Sequence, residues 1–150
     1  MSDEEETPVE EEAPQEEEAP KQMESLVFKT DDFKKEKHVP VIEAPASAKK
    51  NTLITIKVTV GKQVPHPNTS VHHIRWIKLY FVPDGKVPIE IGGGDFTSHG
   101  ESADGPDKGG VYTEPQALVA FKTDKSGTIV ATSYCNIHGL WKSEQKLKVS

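Results

Sequence analysis

The chain has 150 residues and a formal net charge of −6, and this charge is divided unevenly along the sequence. Residues 1–24 carry eleven acidic side chains and one basic one, a net charge of −10, whereas residues 25–150 carry 13 acidic and 17 basic ones, a net charge of +4. A Glu/Pro-rich segment cannot bury enough apolar surface to offset the entropy lost on folding. We therefore predict a disordered acidic tail over residues 1–24 and one globular domain over residues 25–150.

The composition excludes several classes of protein. No apolar run approaches the ~20 residues that span a bilayer, and the acidic N-terminus is the opposite of the basic start of a secretory signal. The single cysteine, Cys135, excludes a disulfide framework within the chain. The charge of the domain is too small and too scattered to indicate nucleic-acid binding. We therefore expect a cytoplasmic protein with neither nucleic acid nor membrane among its partners.

From residue 53 onward, short strand patterns alternate with turn signals. The predicted strands cover residues 53–60, 73–82, 87–91, 116–123, 128–135 and 140–149. In the second, alternation places Ile77, Leu79 and Phe81 on one face. Pro88 puts the third strand at a sheet edge because proline cannot donate a ladder hydrogen bond, and Gly92–Gly94 is expected to be flexible loop. Without any helical period, six or seven short strands predict an all-β antiparallel sandwich.

Metal-ligating residue types are concentrated in three short segments of the domain. These segments contain five of the six histidines and the only cysteine, and they cover residues 36–40, 66–73 and 135–138. Each has an ordinary structural explanation when taken alone, since a lone cysteine is usually a small buried apolar residue. Taken together, a thiol and an imidazole three residues apart and two further histidine clusters favour one shared metal site.

The kind of ligand limits the choice of metal. One thiol and several imidazoles are poor ligands for Mg²⁺ or Ca²⁺, which prefer oxygen, and structural Zn²⁺ sites commonly contain two or more cysteines. A type-one copper site often has a weak axial methionine, but Met1 and Met23 both lie in or beside the tail. Four imidazoles and one thiolate suit non-haem iron and leave a sixth position open for a small molecule.

Five strings of residues carry a resemblance to a known family. They are Glu-Lys-His-Val-Pro-Val-Ile at 36–42, His-Pro-Asn-Thr-Ser-Val-His-His-Ile at 66–74, His-Gly-Glu-Ser at 99–102, Val-Tyr-Thr-Glu-Pro at 111–115 and Ser-Tyr-Cys-Asn-Ile-His-Gly-Leu-Trp at 133–141. Together they resemble the superoxide reductases of the desulfoferrodoxin/neelaredoxin family, and most closely the single-domain, one-iron archaeal type. The resemblance runs from about Phe28 to the C-terminus. The acidic tail departs from the family pattern.

The resemblance implies an immunoglobulin-like seven-stranded antiparallel β-sandwich with one iron, Fe²⁺ or Fe³⁺, per subunit. By motif position, the equatorial ligands are His38, His66, His72 and His138, and the axial ligand is the Cys135 thiolate. His72 rather than His73 holds the ligand position, and strand alternation agrees that two neighbours should point to opposite faces. His99 matches no ligand.

Further roles follow from the same motifs. Glu36 matches the carboxylate that binds the oxidised iron, and Lys37 matches the catalytic cation beside the open position. The backbone amides of Ile137 and His138 are expected to donate hydrogen bonds to the sulfur of Cys135 and tune the metal.

The function implied by the resemblance is the one-electron reduction of superoxide to hydrogen peroxide without release of oxygen. The expected partners are superoxide, rubredoxin or a similar small electron donor, and further copies of the chain in a homotetramer. Two alternatives remain at this point. One is superoxide dismutase activity at the same iron, and the other is a cupredoxin-like electron-transfer module.

Overall fold

The computed structural model describes Val9, Ala13, Pro14 and residues 27–150. The predicted tail over residues 1–24 therefore lies outside the described residues, apart from these three exposed positions. Its boundary with the domain at residue 25 stays a prediction. Residues 27–150 contain no helix that is long and apolar enough to cross a membrane.

The described chain forms two β-sheets, as the strand patterns predict. Its eight strands are β1 (Val41–Glu43), β2 (Ser47–Ala48), β3 (Ile54–Thr59), β4 (Ile74–Pro83), β5 (Ile89–Asp95), β6 (Gln116–Phe121), β7 (Gly127–Cys135) and β8 (Gly139–Val149). One sheet has the order β1-β3-β6 and the other the order β2-β8-β7-β4-β5. The all-β sandwich is confirmed. The count exceeds seven because of the two-residue β2, which pairs in parallel with β8.

Alternating side chains of both sheets meet in one apolar core. Ile77, Leu79 and Phe81 of β4 are buried, as the alternation predicts, and they belong to the same cluster as Ile56 and Val58 of β3. Fully burying an aliphatic side chain of this size stabilises the fold by about 1.5–3 kcal/mol. The buried core therefore stabilises the strands from which the loops at the ends of the sandwich begin.

The prediction of a flexible loop at Gly92–Gly94 is wrong, because these glycines lie inside β5 and pair with β4. A Cβ atom on Gly93 would lie 2.2 Å from the carbonyl oxygen of Ile77, and one on Gly92 would lie 2.8 Å from Val119. The glycines therefore allow β5 to approach its neighbours more closely than side chains would permit. The predicted edge position is confirmed, since β5 ends the sheet order and begins directly after Pro88.

The sheet topology brings the three ligand-type segments to one end of the five-stranded sheet. Residues 136–138 form the turn between β7 and β8, and Cys135 pairs with Ile74 at the start of β4. The segment 66–73, which directly precedes β4, therefore lies beside that turn. The hydroxyl of Ser133 donates to the carbonyl oxygen of His38 at 3.3 Å, which ties the segment before β1 to β7.

Candidate metal centre

Four imidazole rings form a closed square at this end of the sandwich. Successive ring centroids are 4.8 Å apart for His38–His66, 4.8 Å for His66–His72, 4.9 Å for His72–His138 and 4.6 Å for His138–His38. The diagonal from His38 to His72 is longer, at 6.3 Å. All four histidines predicted as equatorial ligands are thus brought together.

The donor atoms converge inside this square. His38, His66, His72 and Cys135 each offer one ligand atom, and these atoms lie within 4.8 Å of one another. His138 joins them through Nδ1, which lies 3.0 Å from His38 Nε2, 3.2 Å from His72 Nε2 and 3.7 Å from Cys135 Sγ. Two nitrogens about 2.1 Å from a shared ion and at right angles to each other would be about 3 Å apart. The arrangement therefore fits one metal ion with four nitrogen donors and one sulfur donor.

His66 provides an independent test of that fit. Its Nδ1 donates to the carbonyl oxygen of Pro67 at 2.6 Å, which leaves the lone pair on Nε2. This Nε2 is buried and has no hydrogen-bond partner among the described residues. Burial lowers the pKa of His66 to about 4, so the ring is neutral near pH 7. A buried, neutral and unpartnered nitrogen is the state that a metal ligand requires.

The other rings share this electrostatic setting. Burial lowers the pKa of His38, although the Glu36 carboxylate opposes the change, and burial also lowers the pKa of His72. The positive charge of Lys37 contributes to the lowered pKa of His38, His66 and His72. The charge of the Lys37 ammonium therefore acts on three of the four rings of the square.

Glu36 lies on the outer side of His38. Its Oε1 is 2.6 Å from His38 Nδ1 and accepts the backbone N–H of His38 at 3.0 Å. Burial raises the pKa of the Glu36 carboxyl, but the hydrogen bonds from His38 outweigh it and leave the pKa lowered. The carboxylate holds the His38 ring so that Nε2 faces the square. Glu36 is not in the group of donor atoms described above, and its predicted binding to oxidised iron stays a prediction.

Cys135 is buried at the end of β7, and its Sγ accepts the backbone N–H of His138 at 3.4 Å. This is one of the two amide contacts expected from the motif. The described part of the chain has no corresponding hydrogen bond from the Ile137 amide, so that role stays a prediction. The side chain of Ile137 and the ring of His138 are exposed, which leaves this side of the square open to solvent.

Trp141 supports the square, and the sequence analysis did not assign it a role. Its ring stacks on His38 at 5.0 Å between centroids and 15° between planes, and its Nε1–H donates to the carbonyl oxygen of His138 at 3.2 Å. The sequence feature that could have indicated a role for Trp141 is its spacing: it follows His138 by three residues, as His138 follows Cys135. One buried side chain thus contacts the ring of His38 and the backbone of His138.

His73 and His99 lie outside the square, as expected. Their rings stack with centroids 3.4 Å apart and planes 9° apart, and both residues are buried. His73 Nδ1 lies 2.8 Å from the carbonyl oxygen of Thr69, while His99 has contacts to Glu101 and to the carbonyl oxygen of Ile74. These two histidines therefore serve a structural role.

Comparisons with known proteins identify the family of this chain. The desulfoferrodoxin family matches residues 30–144. The superoxide reductase of Pyrococcus furiosus is 50% identical over 127 residues, which make up 84% of this chain and 100% of the relative. The solved structure of superoxide reductase (neelaredoxin) from Archaeoglobus fulgidus in the reduced form is similar, with a TM-score of 0.76 and 54% identity over 81% of this chain and 98% of that chain. A Thermotoga maritima crystal structure has a TM-score of 0.81 and 59% identity, covering 83% of this chain and 95% of that one. This chain belongs to the desulfoferrodoxin family.

Proposed function

We propose that the protein reduces superoxide to hydrogen peroxide at one mononuclear iron bound by His38, His66, His72, His138 and Cys135. The observation that carries the proposal is the square of four imidazoles beside a buried thiol. The family match and the names of the relatives support the same activity. In the balanced reaction, superoxide takes up one electron and two protons.

When bound, ferrous iron would supply the one-electron reducing power. The remaining tasks fall to the protein. The four imidazoles and the Cys135 sulfur form a fixed donor set, and the backbone N–H of His138 tunes the sulfur. His138 is exposed, so a small anion can reach this edge of the square from solvent.

Lys37 is proposed to attract superoxide and to deliver a proton, directly or through an oriented water. Its charge influences the pKa of three rings of the square, and a cation at the mouth of a site raises the local concentration of an anionic substrate. The net charge of +4 over residues 25–150 has the sign that such steering needs. Lys37 is thus the main catalytic side chain outside the donor set.

Glu36 is proposed to have two positions. In one, its carboxylate holds His38 Nδ1, as the 2.6 Å contact supports. In the other, which the family resemblance implies, it would be a ligand of the oxidised iron. The contacts to His38 use Oε1 alone, so the second carboxylate oxygen is the one that they leave without a role. Glu36 therefore affects the oxidised state more than substrate capture.

The finer assignments rest on the family resemblance. We propose that rubredoxin or a similar small protein returns the electron, that the chain assembles as a homotetramer, and that it works in the reducing cytoplasm, where a lone thiol persists. The single free cysteine is consistent with that compartment. Light scattering would test the tetramer, and rapid mixing with reduced rubredoxin would test the donor.

The yield of peroxide tests the activity. The iron-loaded full chain is mixed with superoxide while a donor supplies electrons, and both peroxide and oxygen are measured. A reductase forms one peroxide per superoxide and releases no oxygen, whereas a dismutase forms half as much peroxide and needs no donor. Oxygen release with donor-independent turnover would overturn the proposal in favour of dismutation. Copper in place of iron in the purified protein would favour a cupredoxin-like module.

A further inference from the structure

Asn136 lies between the predicted ligands Cys135 and His138, and its side chain crosses to the neighbouring loop. Its Oδ1 accepts the backbone N–H of His73 at 2.9 Å, and its Nδ2 donates to the carbonyl oxygen of Val71 at 2.9 Å. These two peptide groups are the ones immediately before and after His72. The side-chain amide therefore spans the residue that carries the third ring of the square.

Two further sets of contacts complete this connection. The backbone N–H of Asn136 donates to the carbonyl oxygen of His73 at 3.2 Å. On the other side of the loop, the backbone N–H of His72 donates to Thr69 Oγ1 at 3.1 Å, and Thr69 N–H donates to the carbonyl oxygen of His72 at 2.9 Å. Thr69 thus holds the His72 peptide within its own loop, while Asn136 joins that loop to the β7–β8 turn.

We propose that Asn136 is a positioning residue that fixes the His72 ring relative to Cys135 and His138. His72 needs such support because it lies in a loop before β4 begins at Ile74, whereas Cys135 is the last residue of a buried strand. The inference rests on the proposed function, because the role of Asn136 is to hold the His72 loop at a fixed distance from the Cys135–His138 turn. The 3.2 Å separation of His72 Nε2 and His138 Nδ1 is the distance that the connection controls.

The chemistry of the amide explains why asparagine suits this position. It offers one acceptor and a donor on a short side chain, so it can serve an N–H and a C=O two residues apart at once. An ionised aspartate keeps the acceptor but has no donor, and it would face the Val71 carbonyl with a second oxygen. Alanine offers neither. At position 136, asparagine thus makes both hydrogen bonds, aspartate makes one and alanine makes neither.

The test compares Asn136→Ala and Asn136→Asp with a matched control, Ser126→Ala. Ser126 also has two contacts between its side chain and the backbone, because its Oγ accepts the N–H of Val149 at 2.8 Å and donates to the Val149 carbonyl oxygen at 3.3 Å. It lies at the other end of the β7–β8 hairpin. Loss of its contacts therefore reports the structural cost without reaching the square.

The first measurement is amide hydrogen exchange at His73 in the metal-free protein. Asn136→Ala should increase this exchange about tenfold, as expected for the loss of one hydrogen bond, whereas Asn136→Asp should leave it protected because the acceptor remains.

The second measurement is iron release from the loaded protein, together with the visible sulfur-to-iron band. Asn136→Ala should release iron about 10- to 100-fold faster and shift the band, and Ser126→Ala should change neither.

Specific outcomes overturn the inference. If Asn136→Ala folds and retains the wild-type exchange, iron release and visible band, Asn136 is not a positioning residue even if the wild type reduces superoxide. Should Asn136→Ala fail to fold, Asn136→Asp decides alone: it loses the contact to the Val71 carbonyl and should release iron faster than the wild type, so wild-type iron release in that variant rejects the role. A wild-type chain that binds iron without reducing superoxide would instead refute the proposed function and leave the exchange result standing.

Discussion

The adjacent residues His72 and His73 belong to two histidine groups that differ in what their ring nitrogens contact. His72 is part of the imidazole square, in which one nitrogen of each ring lies close to the donor atoms of its neighbours. His73 stacks on His99, and His73 Nδ1 and both ring nitrogens of His99 have contacts to carbonyl or carboxylate oxygens. Burial does not separate the groups, because His38 in the square is buried much as His73 and His99 are.

The difference shows what makes a buried histidine available to a metal. His66 Nε2 is buried without a hydrogen-bond partner among the described residues, a state that no ring nitrogen of His73 or His99 shares. Leaving such a nitrogen bare destabilises the metal-free fold by about 1–3 kcal/mol. The metal-free square is therefore destabilised by this unpartnered nitrogen, and a bound ion would remove that destabilisation. The His73–His99 stack has no such buried nitrogen.

Removing the sulfur from the square should have the largest effect. Cys135→Ser is expected to abolish the visible sulfur-to-iron band and the reduction of superoxide, because the hydroxyl is a far weaker donor than a thiolate. His99→Gln, which changes the stack and the contacts of His99 to Glu101 and Ile74 but no donor atom of the square, should keep both. The visible spectrum, the iron content and the peroxide yield of the two variants check this contrast. A band that survives in Cys135→Ser would mean that the sulfur is not a ligand.

Removing the cation beside the square should slow capture without releasing iron. Lys37→Ala is expected to lower the second-order rate with superoxide about tenfold or more and to weaken its dependence on salt. The control is Lys125→Ala, since Lys125 is exposed and lies 3.0 Å from Asp124 in a turn outside the square. Rapid kinetics after pulsed generation of superoxide gives both rates. Equal rates for Lys37→Ala and the wild type would contradict steering.

The metal-free protein should lose stability as the pH falls from about 6.5 to about 4. Burial lowers the pKa of His66 from 6.5 in the unfolded chain to about 4 in the fold, so the unfolded state binds more protons within this window. Stability therefore rises with pH across the window and is unaffected by His66 above it. The loss amounts to about 2 kcal/mol, allowing for partial exposure.

Denaturant unfolding at several pH values measures this dependence, with His66→Gln as the control. Glutamine does not titrate, so the variant should show a flatter profile between pH 4 and pH 6.5. A variant profile as steep as that of the wild type would assign the dependence to other groups.

The smallest expected effect concerns the brace at Trp141. Trp141→Phe keeps a ring that can stack on His38 but loses the hydrogen bond to the His138 carbonyl. The free energy of unfolding should fall by about 1 kcal/mol, and iron release should accelerate a few-fold. Trp76→Phe is a suitable control, because Trp76 stacks on Tyr134 outside the square. Similar iron release in both variants would mean that Trp141 braces only the fold.

Several features could be predicted from the sequence because they depend on local pattern. Strand alternation placed Ile77, Leu79 and Phe81 in the core, and Pro88 placed β5 at an edge. The glycines of β5 were assigned wrongly, since turn signals describe the conformations that glycine allows and not its close packing. The close approach of the Ile77 carbonyl oxygen, which only the structure shows, explains why β5 has glycine at position 93.

The sequence by itself determined the composition of the candidate site: the histidine clusters, the lone cysteine and, through the family motifs, the choice of His72 over His73. These depend on residue type and spacing along the chain. Only the tertiary structure decided that four rings close a square, that His66 Nε2 is left bare, that Glu36 holds His38, and that Asn136 connects two loops 63 residues apart. The physical reason is that such contacts join distant segments, and their geometry is set when the two sheets pack and bring those segments to one end.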